Sequence, residues 1–270
     1  MESIPGRRSA YSSGYFATAM NDRGKAALVM ANSASDAGKS EYAIRRKMIQ
    51  EGVISQMVTL PSNMFSSVTL PATLWFFDKH KPRTDKRDEI LFVDARNVFT
   101  QVDRAHRKFS DEQIKNLGVI TRLYEGDTAA FAALIEEYRA ALAAAPETAP
   151  DKETKTKAYW QQQIDWLTER FPDGVYRDVI GLCKAAKVGV TLDEQGNEIV
   201  EEDSIADQDY SLNAGRYVGV VIEDDGMTEA EFRETMLGLN AEFEALNKKA
   251  KGLGEQISRN IKALVGDLSE

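Results

Sequence analysis

The triplet Gly38-Lys39-Ser40 is the first group of residues whose types could carry chemistry. A Gly-Lys-Ser triplet closes the phosphate-binding loops whose backbone amides cradle nucleotide phosphates. That pattern also requires a glycine five positions before Gly38, and Ser33 stands there instead. The spacing therefore argues against a nucleotide-hydrolysing loop and favours Lys39 and Ser40 as the start of a helix.

No metal site or activated nucleophile can be assigned from residue spacing. His80 and His106 are far apart in the sequence, and neither has a cysteine or carboxylate at ligand spacing. Asp103 and His106 stand three positions apart, which is typical of a common surface pair. The single cysteine, Cys183, cannot form an internal disulfide and is expected to be a small buried apolar residue.

Composition bounds the class of protein. The chain has 270 residues, of which 43% are apolar, so it can build a folded core. It has no run of eighteen apolar residues and no apolar leader, and we expect a cytoplasmic protein with no membrane span. A net charge of −9 argues against a protein that wraps nucleic acid by itself, because nonspecific DNA affinity comes mainly from Lys and Arg. The densest basic stretch, 79–108, contains interleaved acids and is expected to be a solvated face.

The first hundred residues have the pattern of an α/β sheet. Residues 25–30 predict a strand, 41–52 a helix with an apolar stripe, and 53–60 a second strand. Residues 70–78 predict a third strand, which follows a loop too short for a parallel crossover and should therefore pair antiparallel with the second. This order is typical of the edge of a doubly wound sheet, and 89–95 predict one further strand.

The middle of the chain is predicted to be mainly helical. Helical spacing begins after Ser110 and continues to about Phe171, interrupted by a polar, proline-containing linker at 145–157 that is a candidate for local disorder. Two β-prone runs in 188–201 flank a turn sequence and predict a surface hairpin.

The tail carries a heptad pattern. Thr228 and Glu231 form a predicted capping box, acids crowd the following turn, and bases are concentrated in the later turns. Apolar residues then recur in steps of four and three, as in a coiled coil. We call these residues the seam, and expect them to dock on a partner: Phe232, Met236, Leu239, Phe243, Leu246, Leu253, Ile257, Ile261 and Leu264.

Longer strings carry a family resemblance. The strings GKAALVMANSASDAGKSEYAIRRKMI, LPSNMFSSVTLPATLWFFDKHK, EILFVDARNVFTQVDRAHRKFSDEQI, GLCKAAK and YSLNAGRYVG occur in this order. Together they resemble the C-terminal half of the modification (M) subunit of type I restriction-modification systems, an adenine-specific DNA methyltransferase. The resemblance covers about residues 15–265.

The resemblance implies a fold and a cofactor. Such subunits look like class I methyltransferases, so residues 25–30, 54–60 and 71–78 would be strands five, six and seven, with strand seven reversed. The parent subunit would use S-adenosylmethionine, held by a Gly-rich turn, and an Asn/Asp-Pro-Pro-Phe/Tyr loop for the target amine. The chain has no Pro-Pro pair and no Gly-rich turn in that context. We therefore expect it to lack the cofactor and catalytic motifs, to bind no cofactor alone, and to be inactive alone.

Three residues are candidates for the wall of the base pocket. Base-modifying enzymes stack the extruded base on aromatic rings. In the resemblance, Phe65 supplies such a ring, although it could equally be a core residue that covers the sheet edge. Asn32 and Ser33 follow a strand at its carboxyl end, where open α/β sheets bind ligands, but a plain turn is the favoured role for them.

The sequence thus predicts three regions. Residues 1–108 would be the C-terminal part of a methyltransferase α/β domain, 109–227 a mainly helical region with a hairpin, and 228–270 a long helix. The chain would be a fragment or split product of an adenine N6-methyltransferase subunit. It would contribute structure, part of the base pocket and subunit docking, and it would hold no metal. Its partners would be the specificity (S) and restriction subunits, with DNA contacted through the complex. The alternative is a noncatalytic helical module that assembles a complex.

Overall fold

The computed structural model describes residues 18–38, 40–65, 69–151, 154–220 and 228–266. The chain divides into two compact units, 1–221 and 222–270. The described residues of the first form an α/β unit, and those of the second form one long helix. Among the described residues, no helix is both long enough and apolar enough to span a membrane.

A five-stranded mixed sheet forms the centre of the first unit. The strands are β1 (Lys25–Ala31), β2 (Ile54–Thr59), β3 (Ala72–Asp78), β4 (Glu89–Asp94) and β7 (Cys183–Lys187). Their order across the sheet is β1-β3-β2-β4-β7. Two-stranded hairpins lie beside it, one from β5 (Thr100–Gln101) and β6 (Arg107–Lys108), the other from β8 (Val190–Leu192) and β9 (Glu198–Val200).

The reversed strand β3 is the defining feature of the sheet. It pairs antiparallel with β2, as the short connection predicted, and Trp75 lies opposite Met57. It also pairs antiparallel with β1, where the same Trp75 lies opposite Leu28. β3 therefore lies between β1 and β2 and hydrogen-bonds to both, so it is not itself an edge strand. β4 extends the sheet parallel to β2, and β7 adds to β4 antiparallel.

Helices and a long loop cover both faces of this sheet. Helix α1 (Ser40–Gln50) and the segment 205–218 cover one face, where Met48 and Ile49 pack with Trp75 and Phe92. Ser40 does begin a helix, while Lys39 lies outside the described residues. The predicted order of strand, helix and strand is confirmed.

Three further helices cover the other face. They are α2 (Asp111–Tyr124), α3 (Thr128–Ala144) and α4 (Lys157–Arg170). Ser110 and Gln113 form a capping box at the start of α2, and Asp127 and Thr156 cap the next two helices. Ile120 and Leu167 are fully buried against this face of the sheet. The region 109–227 therefore supplies both helices and a strand, β7, to the same α/β unit.

The second unit is the helix α5 (Glu229–Gly266), 38 residues long. The predicted capping box is confirmed, because the Glu231 amide donates to Thr228 Oγ1 at 3.3 Å and the Thr228 amide donates to Glu231 Oε2 at 2.8 Å. The predicted hairpin at 188–201 is also confirmed, and the Asp193 carboxylate holds its turn by accepting from the amides of Gln195 and Asn197.

Candidate functional site

Three strands end on the same edge of the sheet. β1 and β2 are both antiparallel to β3, and β4 is parallel to β2, so all three run in one direction. The segments that follow them begin at Asn32, Leu60 and Ala95. Ligands of open α/β sheets bind outside the carboxyl ends of the strands, so this edge is the candidate functional site.

Asn32 and Ser33 open a short 3-10 helix, Asn32–Ser35, directly after β1. Asn32 Oδ1 accepts a hydrogen bond from Thr73 Oγ1 at 2.9 Å, and Thr73 is fully buried on β3. The Ser33 side chain is exposed. The structure therefore anchors Asn32 to the neighbouring strand, which is what a turn residue would do, and leaves Ser33 facing outward.

Phe65 lies in the segment between β2 and β3, and 38% of it is exposed. The ring is therefore partly accessible in this chain. Asn63 anchors the preceding turn by donating to the Thr69 carbonyl at 3.2 Å and accepting from the Arg107 amide at 2.9 Å. Asn63 has a φ of +61°, a left-handed conformation that asparagine tolerates well. Residues 66–68 lie outside the described part of the chain.

The β5-β6 hairpin contacts the segment that carries Phe65. Arg107 Nη1 donates to Ser62 Oγ at 3.1 Å, and its guanidinium carbon lies 3.9 Å from the centre of the Phe99 ring. Arg104 and Lys108 on this hairpin are exposed. The expected surface pair is present, with His106 Nδ1 2.8 Å from Asp103 Oδ2. The hairpin thus places the Arg107 guanidinium against the segment that carries Phe65.

The rest of the basic stretch is partly a solvated face and partly buried. Arg83 forms an exposed ion pair with Asp22, as expected for such a face. Lys81 differs, because only 5% of it is exposed and its Nζ donates to the carbonyls of Gly52 and Arg87 at 3.2 and 2.7 Å. Burial lowers the pKa of Lys81 to about 8. This lysine anchors the end of α1 to the start of β4.

Asp36, just after the 3-10 helix, is the centre of a polar cluster that sequence reasoning did not identify. Its carboxylate accepts from Ser211 Oγ and from Asn213 Nδ2 at 3.3 Å, and lies 3.6 Å from Arg216 Nε. The three partners belong to the string YSLNAGRYVG, whose part in the resemblance was the only available signal. The cluster fixes the segment 211–216 beside the carboxyl end of β1.

A buried arginine supports the same cluster. Arg45 on α1 is 3% exposed, and its guanidinium donates to the carbonyls of Tyr210 and Ala37 at 2.7 and 2.6 Å. Burial lowers the pKa of Arg45, while the nearby carboxylates of Asp36 and Asp209 act in the opposite direction. Arg45 therefore joins α1, the loop after β1 and the 210–218 segment.

No catalytic cluster or metal site was found in the described ranges. Cys183 is fully buried, as predicted, and burial raises the pKa of its thiol to about 12, so it is not an activated nucleophile. The described residues contain no group of three His, Cys, Asp or Glu side chains that could hold a metal ion.

On the separate helix α5, all nine seam residues are between 51% and 68% exposed. Their spacing puts them along one side of the helix, as the heptad pattern predicted. The opposite side also carries an exposed leucine, Leu237. The helix therefore presents an apolar stripe with no partner among its own residues.

Comparison with known proteins identifies the family. The sequence profile of the N-6 DNA Methylase family matches residues 14–141. The MjaIX methylase subunit of a type I restriction enzyme from Methanocaldococcus jannaschii is 30% identical over 232 residues, which is 84% of this chain and 31% of that protein. The HindI methylase subunit from Haemophilus influenzae is 28% identical over 247 residues, which is 91% of this chain and 41% of that protein.

Solved structures similar to this chain include a methyltransferase subunit of a type I restriction-modification system from Streptococcus thermophilus. It has a TM-score of 0.42 and 18% identity, and the match covers 72% of this chain and 26% of that one. The chain spans between about a third and two fifths of the curated relatives named above. On the sequence matches, the chain belongs to the family of methylase subunits of type I restriction-modification systems, of which it corresponds to a part.

Proposed function

We propose that the chain is the distal part of a DNA adenine N6-methyltransferase subunit of a type I restriction-modification system. The observation that carries this proposal is the strand order, in which the reversed β3 lies between the parallel strands β1 and β2. In that arrangement the Phe65 segment and the Asn32 turn both follow strands that run in the same direction, which supports a common role for them at the carboxyl edge of the sheet.

S-adenosylmethionine would be held by the remainder of the parent subunit. Within the described residues, the two carboxylates at the candidate edge are already engaged, Asp36 by Ser211, Asn213 and Arg216, and Asp94 by Arg96. The Asn32 side chain is likewise occupied by Thr73. These residues do not fit the cofactor, so we assign no step of methyl transfer to this chain.

Phe65 would form part of the wall of the base pocket. Its ring is accessible, it stands at the carboxyl edge, and the cationic β5-β6 hairpin lies beside its segment. An aromatic ring is suited to stack on an extruded adenine, and nearby Arg and Lys side chains can contact the flanking phosphates. Asn32 would support this wall by anchoring the turn after β1. The exposed Ser33 side chain would face the substrate.

Helix α5 would dock the subunit on its partners. A helix with a continuous exposed apolar seam needs packing from another chain or element, since helix propensity alone does not stabilise it. We assign the seam to the specificity subunit, with the restriction subunit joining the assembly and DNA bound through the complex in the cytoplasm.

The alternative is a noncatalytic module that only assembles a complex. The exposed seam of α5, in a unit separate from the sheet, favours it. The two proposals differ in what the sheet edge does, because an assembly module has no use for an accessible Phe65.

Calorimetry with S-adenosylmethionine and a methylation assay test the main proposal. The chain alone should show no binding and no methyl transfer, whereas the longer subunit that contains it should show both. Micromolar binding of S-adenosylmethionine by the chain alone would contradict the proposal that the remainder of the parent subunit holds the cofactor. A longer subunit that assembles with its partners but neither binds cofactor nor methylates DNA would favour the assembly module.

A further inference from the structure

A cleft of about 320 Å³ lies between the segment after β4 and the helices α2 and α4. It is separate from the Phe65 segment and from the Asp36 cluster. Its walls combine three aromatic rings, Phe99, Tyr159 and Trp166, with the side-chain amides of Asn97 and Gln162. Aromatic faces together with amide groups are the chemistry that proteins use to bind nucleobases.

Two amides of the cleft are free to bind a ligand. Asn116 and Gln163 also line the cleft, but Asn116 Nδ2 donates to Gln163 Oε1 at 3.0 Å and Asn116 Oδ1 accepts from Tyr138 at 2.9 Å. Asn97 and Gln162, in contrast, make no side-chain hydrogen bond to any described residue. An amide offers a donor and an acceptor side by side, which matches the edge of an adenine.

The aromatic walls are held in place by polar contacts. Tyr159 donates to Glu112 Oε2 at 2.8 Å, and burial raises the pKa of Tyr159 to about 12, so its ring stays neutral. The guanidinium carbon of Arg170 lies 4.5 Å from the centre of the Trp166 ring. Rings fixed before binding lose little entropy when a base stacks on them, which favours affinity.

Charge on the hairpin that follows Phe99 suits a nucleic acid. Phe99 leads directly into the β5-β6 hairpin, which carries Arg104, Arg107 and Lys108 against a single carboxylate, Asp103. That carboxylate is occupied by His106. Arg107 contacts the Phe65 segment on one side and the Phe99 ring on the other. A phosphate backbone that follows the hairpin would therefore pass from the Phe65 segment to the cleft.

We infer that this cleft binds an unpaired nucleobase of DNA, at a site additional to the pocket proposed around Phe65. The inference rests on the proposed function for its choice of DNA as the ligand. A base displaced from the duplex near the target would stack on the aromatic walls and bond to Asn97 and Gln162. The cleft would thereby stabilise the opened duplex.

The test is equilibrium binding of the full chain to three labelled duplexes at one fixed salt concentration, without S-adenosylmethionine. The first contains one bulged adenine, the second an abasic residue at the same place, and the third is fully paired. Stacking of one base corresponds to roughly 5- to 140-fold in affinity. We expect at least a fivefold preference for the bulged adenine over the abasic duplex.

Two uncharged variants test whether the cleft causes that preference. Trp166→Leu removes an aromatic wall, and Gln162→Ala removes an exposed amide with little effect on packing. Both should reduce the preference for the bulged adenine. Gln161→Ala is the matched control, because Gln161 is exposed on the same helix but does not line the cleft. Arg104→Gln should weaken binding to all three duplexes and leave the preference unchanged.

Equal affinity for the bulged and abasic duplexes would overturn the inference, as would an unchanged preference in both cleft variants. Displacement of the bulged duplex by micromolar adenosine monophosphate would show a free-nucleotide site and overturn the choice of DNA. Because no methyl transfer is measured, a positive result stands even if the longer subunit proves to lack methylase activity.

Discussion

The ring of Tyr217 stacks on that of Phe92, with the ring centroids 4.1 Å apart and the planes inclined by 26°. Phe92 is on β4 and fully buried, and the Tyr217 hydroxyl also donates to the Ser211 carbonyl at 2.6 Å. This contact fixes the segment 211–217 on the sheet, and with it the partners of Asp36. It joins a segment distant from β4 in the sequence to the centre of the sheet.

Removal of that ring should destabilise the α/β unit. We expect Tyr217→Ala to lower the free energy of unfolding by about 3–5 kcal/mol, as for other large buried aromatic side chains. Tyr217→Phe keeps the stack and loses one hydrogen bond, so it should cost only about 1 kcal/mol. Urea unfolding followed by circular dichroism measures both. A loss below about 1 kcal/mol for the alanine variant would mean that the segment is not held by this stack.

The buried carboxylate of Glu112 should make stability depend on pH. Its two oxygens accept from Lys155 Nζ at 2.6 Å and from the Tyr159 hydroxyl at 2.8 Å. Burial acts to raise the pKa of Glu112, but these hydrogen bonds outweigh it and the pKa is lowered from 4.5. The stabilisation is therefore fully present above about pH 4.5 and is lost as the pH falls through the lowered value.

Comparison of Glu112→Gln with the wild type over this pH range tests the prediction. At pH 7 the variant should be less stable by about 1–3 kcal/mol, because a buried charge-assisted hydrogen bond is weakened. The difference should shrink below pH 4.5. Glu137→Gln, which removes an exposed ion pair with Lys115, is the control and should have little effect at any pH. A Glu112→Gln difference that stays constant down to pH 3 would refute the assigned role.

Phe65 should matter more for methylation than for folding. Because 38% of the residue is exposed, Phe65→Ala should cost little stability, whereas a lost base stack is worth about 1–3 kcal/mol. In the longer subunit we therefore expect Phe65→Ala to reduce the rate of methyl transfer at least fivefold, and Phe65→Trp to retain more activity. Steady-state kinetics and thermal melting check both statements. Destabilisation by several kcal/mol, as expected for a buried phenylalanine, would show that the ring is structural after all.

Charges placed on the seam of α5 should abolish docking. Leu246→Glu with Leu253→Glu puts two carboxylates in the apolar stripe, where each buried leucine should contribute roughly 1.5–3 kcal/mol to association. The matched control is Leu237→Glu with Ala241→Glu, which adds the same charge to the opposite side of the helix, given 3.6 residues per turn. Only the seam variant should lose co-purification with the specificity subunit, while melting of the α/β unit stays unchanged. Unfolding of the whole chain by the seam variant would instead assign the seam to an intramolecular contact.

Much of the fold could be predicted from the sequence, because these features depend on residues that are neighbours in the chain. The loop before β3 is too short for a crossover, and the Thr228 capping box and the hairpin around Asp193 depend on neighbouring residues. The pairing of β3 with β1 could not be predicted in this way, because it depends on the tertiary path of the chain between these two strands. β7 was missed because Cys183–Lys187 contains no β-branched or aromatic residue, and only its pairing with β4 makes it a strand.

The site was predicted less completely than the fold. The burial of Arg45 could not be seen in the sequence, because one of its carbonyl partners is 165 residues away. Asp36 and the aromatic cleft likewise depend on residues from distant segments. Phe65 was indicated by the resemblance alone, and its partial exposure is compatible with the pocket role that remains a prediction.

Methyl transfer by the longer subunit that contains this chain is the most direct test of the central proposal. The subunit would be purified with its specificity subunit and supplied with tritiated S-adenosylmethionine and duplex DNA, and the labelled base would be identified after hydrolysis. The account predicts label on N6 of adenine with the longer subunit, and none with this chain alone. Label on cytosine, or no incorporation by an assembled complex that binds both cofactor and DNA, would contradict it.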